Sequence, residues 1–328
     1  MQTLTYRNEI ARINAALTFN PALTCLALAD DVDVMVGARQ IDDGLNALFD
    51  GLLGARDNMP REDWRGLACY LRSEHPVIEA LFQDPLTKRA LEKPRGYAGD
   101  AVMMDYIYGI HSGEANRQSS ELGRTICSYI QSRPAGQAVR YRREHIARLI
   151  DQVAAGKERP SVLSIASGHL REAELSQALA AGKIGRFVAL DVDAASLREI
   201  DMHYARLGVE TVHGSVRHIL RRKVQLGSFD FVYAAGLYDY LTDAVAQALT
   251  ARMFEMVNAG GQLLIPNFAP RVKDRAYMEA FMDWDLIYRD RNDMPRLMEG
   301  IEAAQIQSFE VYGDPSHSVV YLLVRKKA

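Results

Sequence analysis

The amino-acid sequence predicts a doubly wound α/β domain that follows an α-helical domain. Residues 161–173 read S-V-L-S-I-A-S-G-H-L-R-E-A, a pattern typical of a buried β-strand, a turn of small residues and a helix. A second apolar strand, F-V-A-L-D, ends at Asp191. No alternation of strands and turns occurs before Ser161, so the first part of the chain is predicted to be helical.

The first predicted strand and its turn have the outline of a nucleotide-type binding site. Backbone amides of such a turn hold one end of a ligand, and an acid after the second strand, here Asp191, accepts hydrogen bonds from ribose hydroxyls. A dinucleotide site needs small residues at the first, third and sixth positions of the turn, which here are Ala166, Gly168 and Arg171. Because an arginine prevents the close packing that the third glycine allows, a nicotinamide-dependent oxidoreductase is disfavoured. The turn suits a ligand with a ribose but no phosphates, such as S-adenosylmethionine.

The elements after Asp191 continue the alternation of strands and helices. The segment Thr211–Ser215 can place backbone groups and the Ser215 side chain beside an adenine. The elements that follow are, in chain order, a strand at Phe229–Gly236, a helix with apolar residues from Val245 to Met256, a helix stop at Asn258–Gly261, a strand at Gln262–Phe268, and strands around 306–312 and 319–325. The last two strands flank Gly313-Asp-Pro315, a turn that suits an antiparallel hairpin.

This order of motifs resembles the class I S-adenosylmethionine-dependent methyltransferases over roughly residues 136–328. The resemblance implies a seven-stranded Rossmann-like sheet with an antiparallel last strand. The turn departs from the G-x-G-x-G of that family, since Ala166 and Leu170 replace two glycines and Ser164 replaces the usual acid. The resemblance also implies S-adenosylmethionine as cofactor and S-adenosylhomocysteine as product. Since His203, His213 and His218 lack the carboxylate partners of a metal site, no catalytic metal is expected. The expected cofactor-binding residues are Ala166, Ser167, Gly168, Asp191, Val192, Gly214, Ser215, Ala235 and Gly236.

Composition excludes some classes of function. A net charge of −3 gives no basic footprint for nucleic acid. The arginines between Arg140 and Arg148 share a stretch with apolar residues, which indicates an amphipathic helix with a solvated basic face. Pro266-Asn-Phe268 is only an incomplete version of the adenine-methylation signature. The three cysteines lack metal-ligand spacing and are expected to be buried thiols in a reducing cytoplasm, and no segment suits a membrane span.

The helical domain is predicted to cover residues 1–135 and to act as a lid or substrate domain; a dimerisation or stabilising role is the alternative. Its segment Lys93-Pro-Arg-Gly-Tyr-Ala-Gly-Asp100 combines loop-forming residues with polar side chains. Asp100 is expected to cap a helix from Ala101 to Ile110. Either Arg95, Tyr97 and Asp100 belong to a catalytic site, or the segment is a structural turn with a solvated arginine.

The same segment resembles bacterial 3-hydroxypalmitic acid methyl ester biosynthesis proteins, which are quorum-signal methyltransferases. That resemblance also includes Leu237-Tyr-Asp-Tyr-Leu241 and Trp284-Asp-Leu-Ile-Tyr-Arg289. It implies methyl transfer to a small-molecule acceptor, either a carboxylate such as that of a hydroxy fatty acid, a hydroxyl or an amine. A transferase that moves another group of S-adenosylmethionine and a non-catalytic regulator that binds it remain alternatives. The expected partners are the small-molecule acceptor and a second copy of the chain in a homodimer, without nucleic acid or membrane.

The candidate catalytic residues follow from the chemistry of methyl transfer. A carboxylate acceptor needs no base but needs a cation to orient it, and Arg95 is the candidate. An amine or hydroxyl acceptor favours a nearby carboxylate, Asp239 or Asp100. Tyr238 and Tyr240 follow the fourth strand of the α/β domain, near the expected position of the reacting methyl group. An aromatic wall that interacts with the sulfonium could be completed by Tyr97, Tyr106 and Tyr288. Core packing is the alternative for each of the five rings, and at least two of them are expected to follow it.

Overall fold

The computed structural model describes residues 20–37, 40–110 and 119–328. Their contacts divide into two compact units. The first contains the described residues of Met1–Ala98, Gly113–Ser132 and Lys273–Asp285, and the second contains those of Gly99–Ser112, Arg133–Val272 and Leu286–Ala328. Two short segments thus lie in the unit on the other side of the predicted boundary at residue 135.

The helices and strands of the described residues are labelled here in chain order. The α-helices are α1 Pro21–Gly37, α2 Ile41–Asn58, α3 Arg61–Ser73, α4 Val77–Leu81, α5 Pro85–Glu92, α6 Ala101–Tyr108, α7 Glu121–Ser132, α8 Pro134–Gly156, α9 Gln177–Ala180, α10 Ala194–Tyr204, α11 Val216–Leu220, α12 Asp243–Glu255 and α13 Arg275–Phe281. The strands are β1 Ser161–Ile165, β2 Arg186–Asp191, β3 Val209–His213, β4 Phe229–Tyr233, β5 Val257–Phe268, β6 Ile306–Gly313 and β7 Val319–Lys326. Short 3-10 helices lie at Arg171–Glu174, Ala205–Leu207, Tyr238–Tyr240, Met294–Met298 and Ala303–Gln305.

The first unit is helical, as the absence of a strand pattern predicted. Helices α2 and α4 lie where apolar residues recur at helical spacing. Helix α13, although it comes late in the chain, packs with them: the rings of Phe49 and Tyr277 stack with centroids 4.4 Å apart. The Tyr277 hydroxyl shares a hydrogen bond of 2.8 Å with Thr87 Oγ1, and Trp64 Nε1 donates to Glu279 at 2.7 Å. These contacts explain why residues 273–285 belong to this unit.

The second unit contains a seven-stranded sheet within the part of the chain that the structure describes. The strand order is β3-β2-β1-β4-β5-β7-β6. Strands β1 to β5 pair in parallel, whereas β7 pairs antiparallel with both β5 and β6. The predicted Rossmann-like sheet with a terminal antiparallel hairpin is therefore confirmed.

Burial explains why these strands form and what they position. Helices cover a parallel sheet on both faces, so its strands need apolar residues at nearly every position. The central residues Leu163, Val188, Val232 and Leu263 are all fully buried in one core. The carboxyl ends of β1, β2, β3 and β4 then meet at one edge of the sheet, which is where α/β folds bind their ligands.

The prediction that Asn258–Gly261 stops a helix is wrong. Helix α12 ends at Glu255, and the four residues lie inside β5. The register between β4 and β5 shifts there, and Gly260 adopts a φ of +72°. Asn258 donates to Asp230 Oδ1 at 2.8 Å, which ties the irregular stretch to β4. Glycines favour both helix ends and β-bulges, and here the bulge is formed.

The prediction of a solvated basic face on α8 is wrong for two of its arginines. Arg142 is only 5% exposed and faces the same side as the buried Ile146 and Ile150. The side chain of Arg143 is 13% exposed and donates to the carbonyl of Arg171 at 2.9 Å. Arg148, at 50% side-chain exposure, does lie on the solvated face.

Two cysteines are buried as predicted, Cys25 and Cys127, whereas Cys69 is exposed. Among the helices described, none combines the length and the apolar character that a membrane span requires.

Candidate active site at the carboxyl edge of the sheet

The turn after β1 adopts an unusual backbone conformation. Ala166, Gly168 and Leu170 have φ values of +53°, +54° and +52°, so every second residue is left-handed. The left-handed region is disfavoured for residues with a Cβ and costs about 1–2 kcal/mol each. The turn therefore keeps the shape of a glycine-rich loop although alanine and leucine replace two glycines. Strained backbone of this kind is concentrated at binding and catalytic sites.

Asp191 closes this turn from the end of β2. Its Oδ2 accepts the N–H of Gly168 at 2.8 Å, and its Oδ1 accepts the N–H of Asp193 at 2.8 Å. Burial raises the pKa of Asp191, and these backbone hydrogen bonds oppose the rise. A carboxylate offers about four lone-pair sites, so Asp191 retains acceptor capacity for a ligand hydroxyl. Asp193, two residues further along the chain, caps α10, where its side chain accepts from Ala195 N at 2.9 Å.

Arg171, three residues after Gly168, holds the turn through a buried ion pair with Asp105. Its Nε and Nη2 donate to the two carboxylate oxygens of Asp105 on α6, both at 2.8 Å, and Nη2 also reaches Glu199 at 2.8 Å. The side chains of Arg171 and Asp105 are 2% and 1% exposed. His169, whose ring lies 2.8 Å from the same carboxylate, is buried as well. The residue that excludes a dinucleotide turn is thus a structural anchor of this one.

Asp105, His169 and Glu199 offer ligand atoms within 4.8 Å of one another. A metal ion there would compete with the Arg171 guanidinium, which already supplies positive charge to both carboxylates. The two carboxylates of this cluster therefore already bind the Arg171 guanidinium, and we propose no metal site there.

The other predicted cofactor residues lie along the same edge. Gly214 donates its N–H to the Asp191 carbonyl at 2.9 Å, and Ser167 donates to the Leu190 carbonyl at 3.1 Å. Val192 exposes 59% of its surface. Ser215 caps α11 through its hydroxyl, which accepts from His218 N at 3.3 Å. The structure thus brings the residues after β1, β2 and β3 together, and the strand order places Ala235 and Gly236 at the same edge after β4.

The ring of Tyr238 follows the alternative, core packing, and is not part of an aromatic wall. The side chain has no exposed surface and packs in the apolar core of the second unit. Its hydroxyl shares a hydrogen bond of 2.9 Å with Thr250 Oγ1 on α12. The apolar ring and the partner for its hydroxyl both lie inside the protein, which explains its inward orientation.

Asp239 is also buried, with 3% of its surface exposed, but its carboxyl group remains a candidate for acid–base chemistry. Its Oδ1 accepts the N–H of Phe268 at 2.6 Å. Burial raises the pKa of Asp239 to about 6, and the charges of Arg142 and Arg289 oppose that rise. A carboxyl group that titrates near neutral pH suits a general base better than an ordinary aspartate does.

Arg289 fixes the segment after β4. It donates to the carbonyls of Tyr238 at 2.9 Å and Leu241 at 2.7 Å, and to Asn267 Oδ1 at 2.8 Å. The Asn267 amide nitrogen in turn donates to the carbonyl of Ile287 at 2.8 Å. Since these bonds occupy its side chain, Asn267 supports the backbone, in line with the weak match of Pro266-Asn-Phe268 to a catalytic signature.

The structure places the three candidate residues of the 93–100 segment in different units. Arg95 is partly buried and Tyr97 is 37% exposed, and both belong to the first unit. Asp100 belongs to the second unit, where its fully buried carboxylate accepts from Met103 N at 2.8 Å and caps α6. The predicted cap is confirmed, and the catalytic role of the three residues stays a prediction.

Two buried charged residues at this edge were not predicted. Glu172 follows the β1 turn and accepts the Tyr233 hydroxyl at 2.6 Å, and burial raises its pKa. Arg142 on α8 influences the pKa values of Glu172 and Asp239 through its charge. Only the apolar spacing along α8 could have indicated that Arg142 lies near the buried face.

Comparison with known proteins supports the fold. No family model matches the chain, and no curated protein matches it. Among solved structures it is similar to a "possible exported protein" from Bordetella parapertussis, with a TM-score of 0.60 and 16% identity over 85% of this chain and 96% of that one. At this identity the likeness concerns the fold alone.

Two further similar structures have lower scores. The pyocyanin biosynthetic protein PhzM has a TM-score of 0.46 and 15% identity over 99% of both chains. The N-methyltransferase NodS from Bradyrhizobium japonicum, in complex with S-adenosyl-L-homocysteine, has a TM-score of 0.43 and 15% identity over 68% of this chain and all of that one. Both likenesses are too weak to transfer an activity to this chain.

Proposed function

We propose that the chain is an S-adenosylmethionine-dependent methyltransferase that acts on a small-molecule acceptor. The observation that carries the proposal is the turn after β1, in which Ala166, Gly168 and Leu170 are all left-handed and Gly168 is bonded to Asp191. Backbone strain is retained there without a glycine at two of the three positions. A ligand that needs the turn to approach closely gives a reason for that strain.

The residues present fit this cofactor. Asp191 keeps lone pairs for ribose hydroxyls, and the exposed Val192 offers an apolar surface beside it. Arg171 occupies the place where a pyrophosphate site would require a small residue, which favours a ligand without phosphates. The cofactor supplies a methyl group activated by a sulfonium.

In methyl transfer the protein chiefly aligns the acceptor atom with the methyl carbon and excludes water from the site, and acid–base chemistry is secondary. The turn after β1 and Asp191 would hold the cofactor, which would supply its methyl group to the acceptor and leave as the neutral thioether S-adenosylhomocysteine. For a hydroxyl or amine acceptor, Asp239 is the candidate to receive the proton, with a pKa raised to about 6. A carboxylate acceptor, as in a hydroxy fatty acid, arrives ionised and needs a cation instead.

The test combines binding with turnover on the purified full chain. Calorimetry should detect binding of S-adenosylhomocysteine without added metal and no binding of NAD. Incubation with S-adenosylmethionine and panels of fatty acids, hydroxy acids and amines should release S-adenosylhomocysteine with at least one panel. Mass analysis of the product separates methyl transfer from transfer of another group. Binding without release in any panel would favour a regulator, and failure to bind S-adenosylhomocysteine would overturn the proposal.

A further inference from the structure

Arg142 is a buried cation of the second unit. It lies on α8 and is 5% exposed. Removal of a guanidinium from water costs several kcal/mol unless a partner compensates for the lost hydration. A buried arginine therefore needs an explanation in terms of its partners.

The protein supplies Arg142 with few partners. Its Nε has no hydrogen-bond partner, whereas the guanidinium also donates to the Tyr108 hydroxyl and Nη2 makes a long contact of 3.9 Å with the sulfur of Met104. Among the residues that the structure describes, no carboxylate lies within 4.0 Å of its guanidinium nitrogens. Charged buried groups left in this state are rare in folded proteins and are usually completed by water, an ion or a ligand.

The nearest acids that feel its charge are occupied elsewhere. Glu172 accepts the Tyr233 hydroxyl at 2.6 Å, and Asp239 accepts Phe268 N at 2.6 Å. Burial raises the pKa of both carboxyl groups, although the charge of Arg142 opposes the rise. They are thus weaker counter-ions than exposed carboxylates would be.

The guanidinium lies close to the carboxyl edge of the sheet. A Cβ on Gly236 would stand 3.5 Å from Arg142 Nη2 and 3.8 Å from Nη1. Gly236 is partly exposed and follows β4, at the carboxyl edge of the sheet where α/β folds bind ligands. The Tyr321 hydroxyl, which also feels the charge of Arg142, is likewise buried without a hydrogen-bond partner. The Nε of Arg142 and the Tyr321 hydroxyl thus both lack a hydrogen-bond partner, and they are close enough for the charge of Arg142 to act on the tyrosine.

We propose that Arg142 binds a carboxylate of a ligand held beside Gly236. The inference rests on the proposed function, in which two ligands can carry that group: the methionine part of the cofactor and an acid acceptor. A planar guanidinium can donate two parallel hydrogen bonds to either carboxylate, which an ammonium cannot reproduce. The carboxylate would also neutralise the buried charge.

The first arm of the test asks whether the carboxylate belongs to the cofactor. Calorimetry compares S-adenosylhomocysteine with its decarboxylated analogue, S-adenosyl-3-thiopropylamine, on the wild type, Arg142→Lys and Arg142→Met. If the cofactor supplies the carboxylate, the wild type binds S-adenosylhomocysteine at least about tenfold more tightly, as a charged hydrogen bond allows. Arg142→Met should lose this preference, and Arg142→Lys should retain only part of it.

The second arm asks whether the carboxylate belongs to an acceptor. Octanoate and 1-octanol are titrated into each protein saturated with S-adenosylhomocysteine. A preference for octanoate in the wild type that Arg142→Met abolishes assigns Arg142 to the acceptor. Arg148→Met is the matched control, because Arg148 lies on the same helix with half of its side chain exposed. It should leave both preferences unchanged.

The outcomes separate the two proposals. If the wild type does not bind S-adenosylhomocysteine, the proposed function fails. If it binds but neither carboxylate preference depends on Arg142, this inference alone is overturned. A thermal melt of each variant checks folding, and Arg142→Lys keeps the positive charge should Arg142→Met not fold.

Discussion

Replacement of Arg171 by methionine should destabilise the second unit strongly. Methionine keeps much of the side-chain volume but leaves the Asp105 carboxylate, 1% exposed, without its two hydrogen bonds of 2.8 Å from the guanidinium. Loss of one partner of a buried ion pair costs about 3–5 kcal/mol. His169 lies 2.8 Å from the same carboxylate and still offers it one hydrogen-bond partner. We therefore expect a loss of about 3 kcal/mol in the free energy of unfolding.

The assay is chemical denaturation followed by far-ultraviolet circular dichroism. Both tryptophans, Trp64 and Trp284, belong to the first unit, so their fluorescence does not report this site. Arg296→Met serves as the control, since its ion pair with Asp293 is 71% and 41% exposed and should contribute less than about 1 kcal/mol. The double variant Asp105→Asn/Arg171→Met should lose less stability than the two single variants added together.

The pH dependence gives an independent check. Burial alone would raise the pKa of Asp105, but hydrogen bonds from Arg171 and His169 bring it below its ordinary value of 3.8. A lowered carboxyl pKa stabilises the folded state above pH 3.8, and that stability is lost as the pH falls through the folded-state pKa. The difference between wild type and Arg171→Met should therefore shrink below pH 3.8. A loss under 1 kcal/mol at neutral pH, or a difference independent of acid, would refute this view of the turn.

Three further predictions concern other parts of the second unit. Ala166→Gly should raise the free energy of unfolding by about 1 kcal/mol, because glycine adopts a φ of +53° without strain; an unchanged or lower denaturation midpoint would contradict this. Burial lowers the pKa of His145 from 6.5 to about 4, so the free energy of unfolding of the wild type should decrease as the pH falls from 6.5 to about 4. The decrease should be smaller for His145→Phe; since the ring is partly exposed, urea titrations should show a difference of only about 1–2 kcal/mol. If Asp239 is a base, Asp239→Asn should lower kcat by about 10²–10⁴-fold and abolish the fall in activity that the wild type shows as the pH drops through about 6; an unchanged pH–rate profile would exclude that role.

The sheet could be predicted because each central strand carries its own signal. Strands β1, β2 and β4 are buried on both faces, so each one reads as an apolar run that needs no knowledge of its neighbours. The segment Asn258–Gly261 could not be predicted from its own residues in this way. A glycine pair permits a helix end and a bulge equally, and the pairing of β5 with β4 decides between them.

The site was only partly predictable, for a related reason. Gly168 and Asp191 follow from the positions of two strands, and the structure joins them by a hydrogen bond. The inward orientation of Tyr238 depends on Thr250, and the burial of Arg171 depends on Asp105, which lies 66 positions away in the sequence. A single sequence indicates which residues carry charge, but tertiary partners determine which charges are buried.

The most direct test of the account is the affinity of S-adenosylhomocysteine for Asp191→Ala, measured by calorimetry beside the wild type. Asp193→Asn is the control, because asparagine caps a helix as well as aspartate does and should leave the affinity unchanged. We predict that Asp191→Ala weakens binding by at least about tenfold, since ribose hydroxyls lose a charged acceptor whose hydrogen bonds are worth about 1.5–3 kcal/mol each. An affinity equal to that of the wild type, in a variant whose thermal melt remains cooperative, would contradict the claim that the turn after β1 and the end of β2 form the cofactor site.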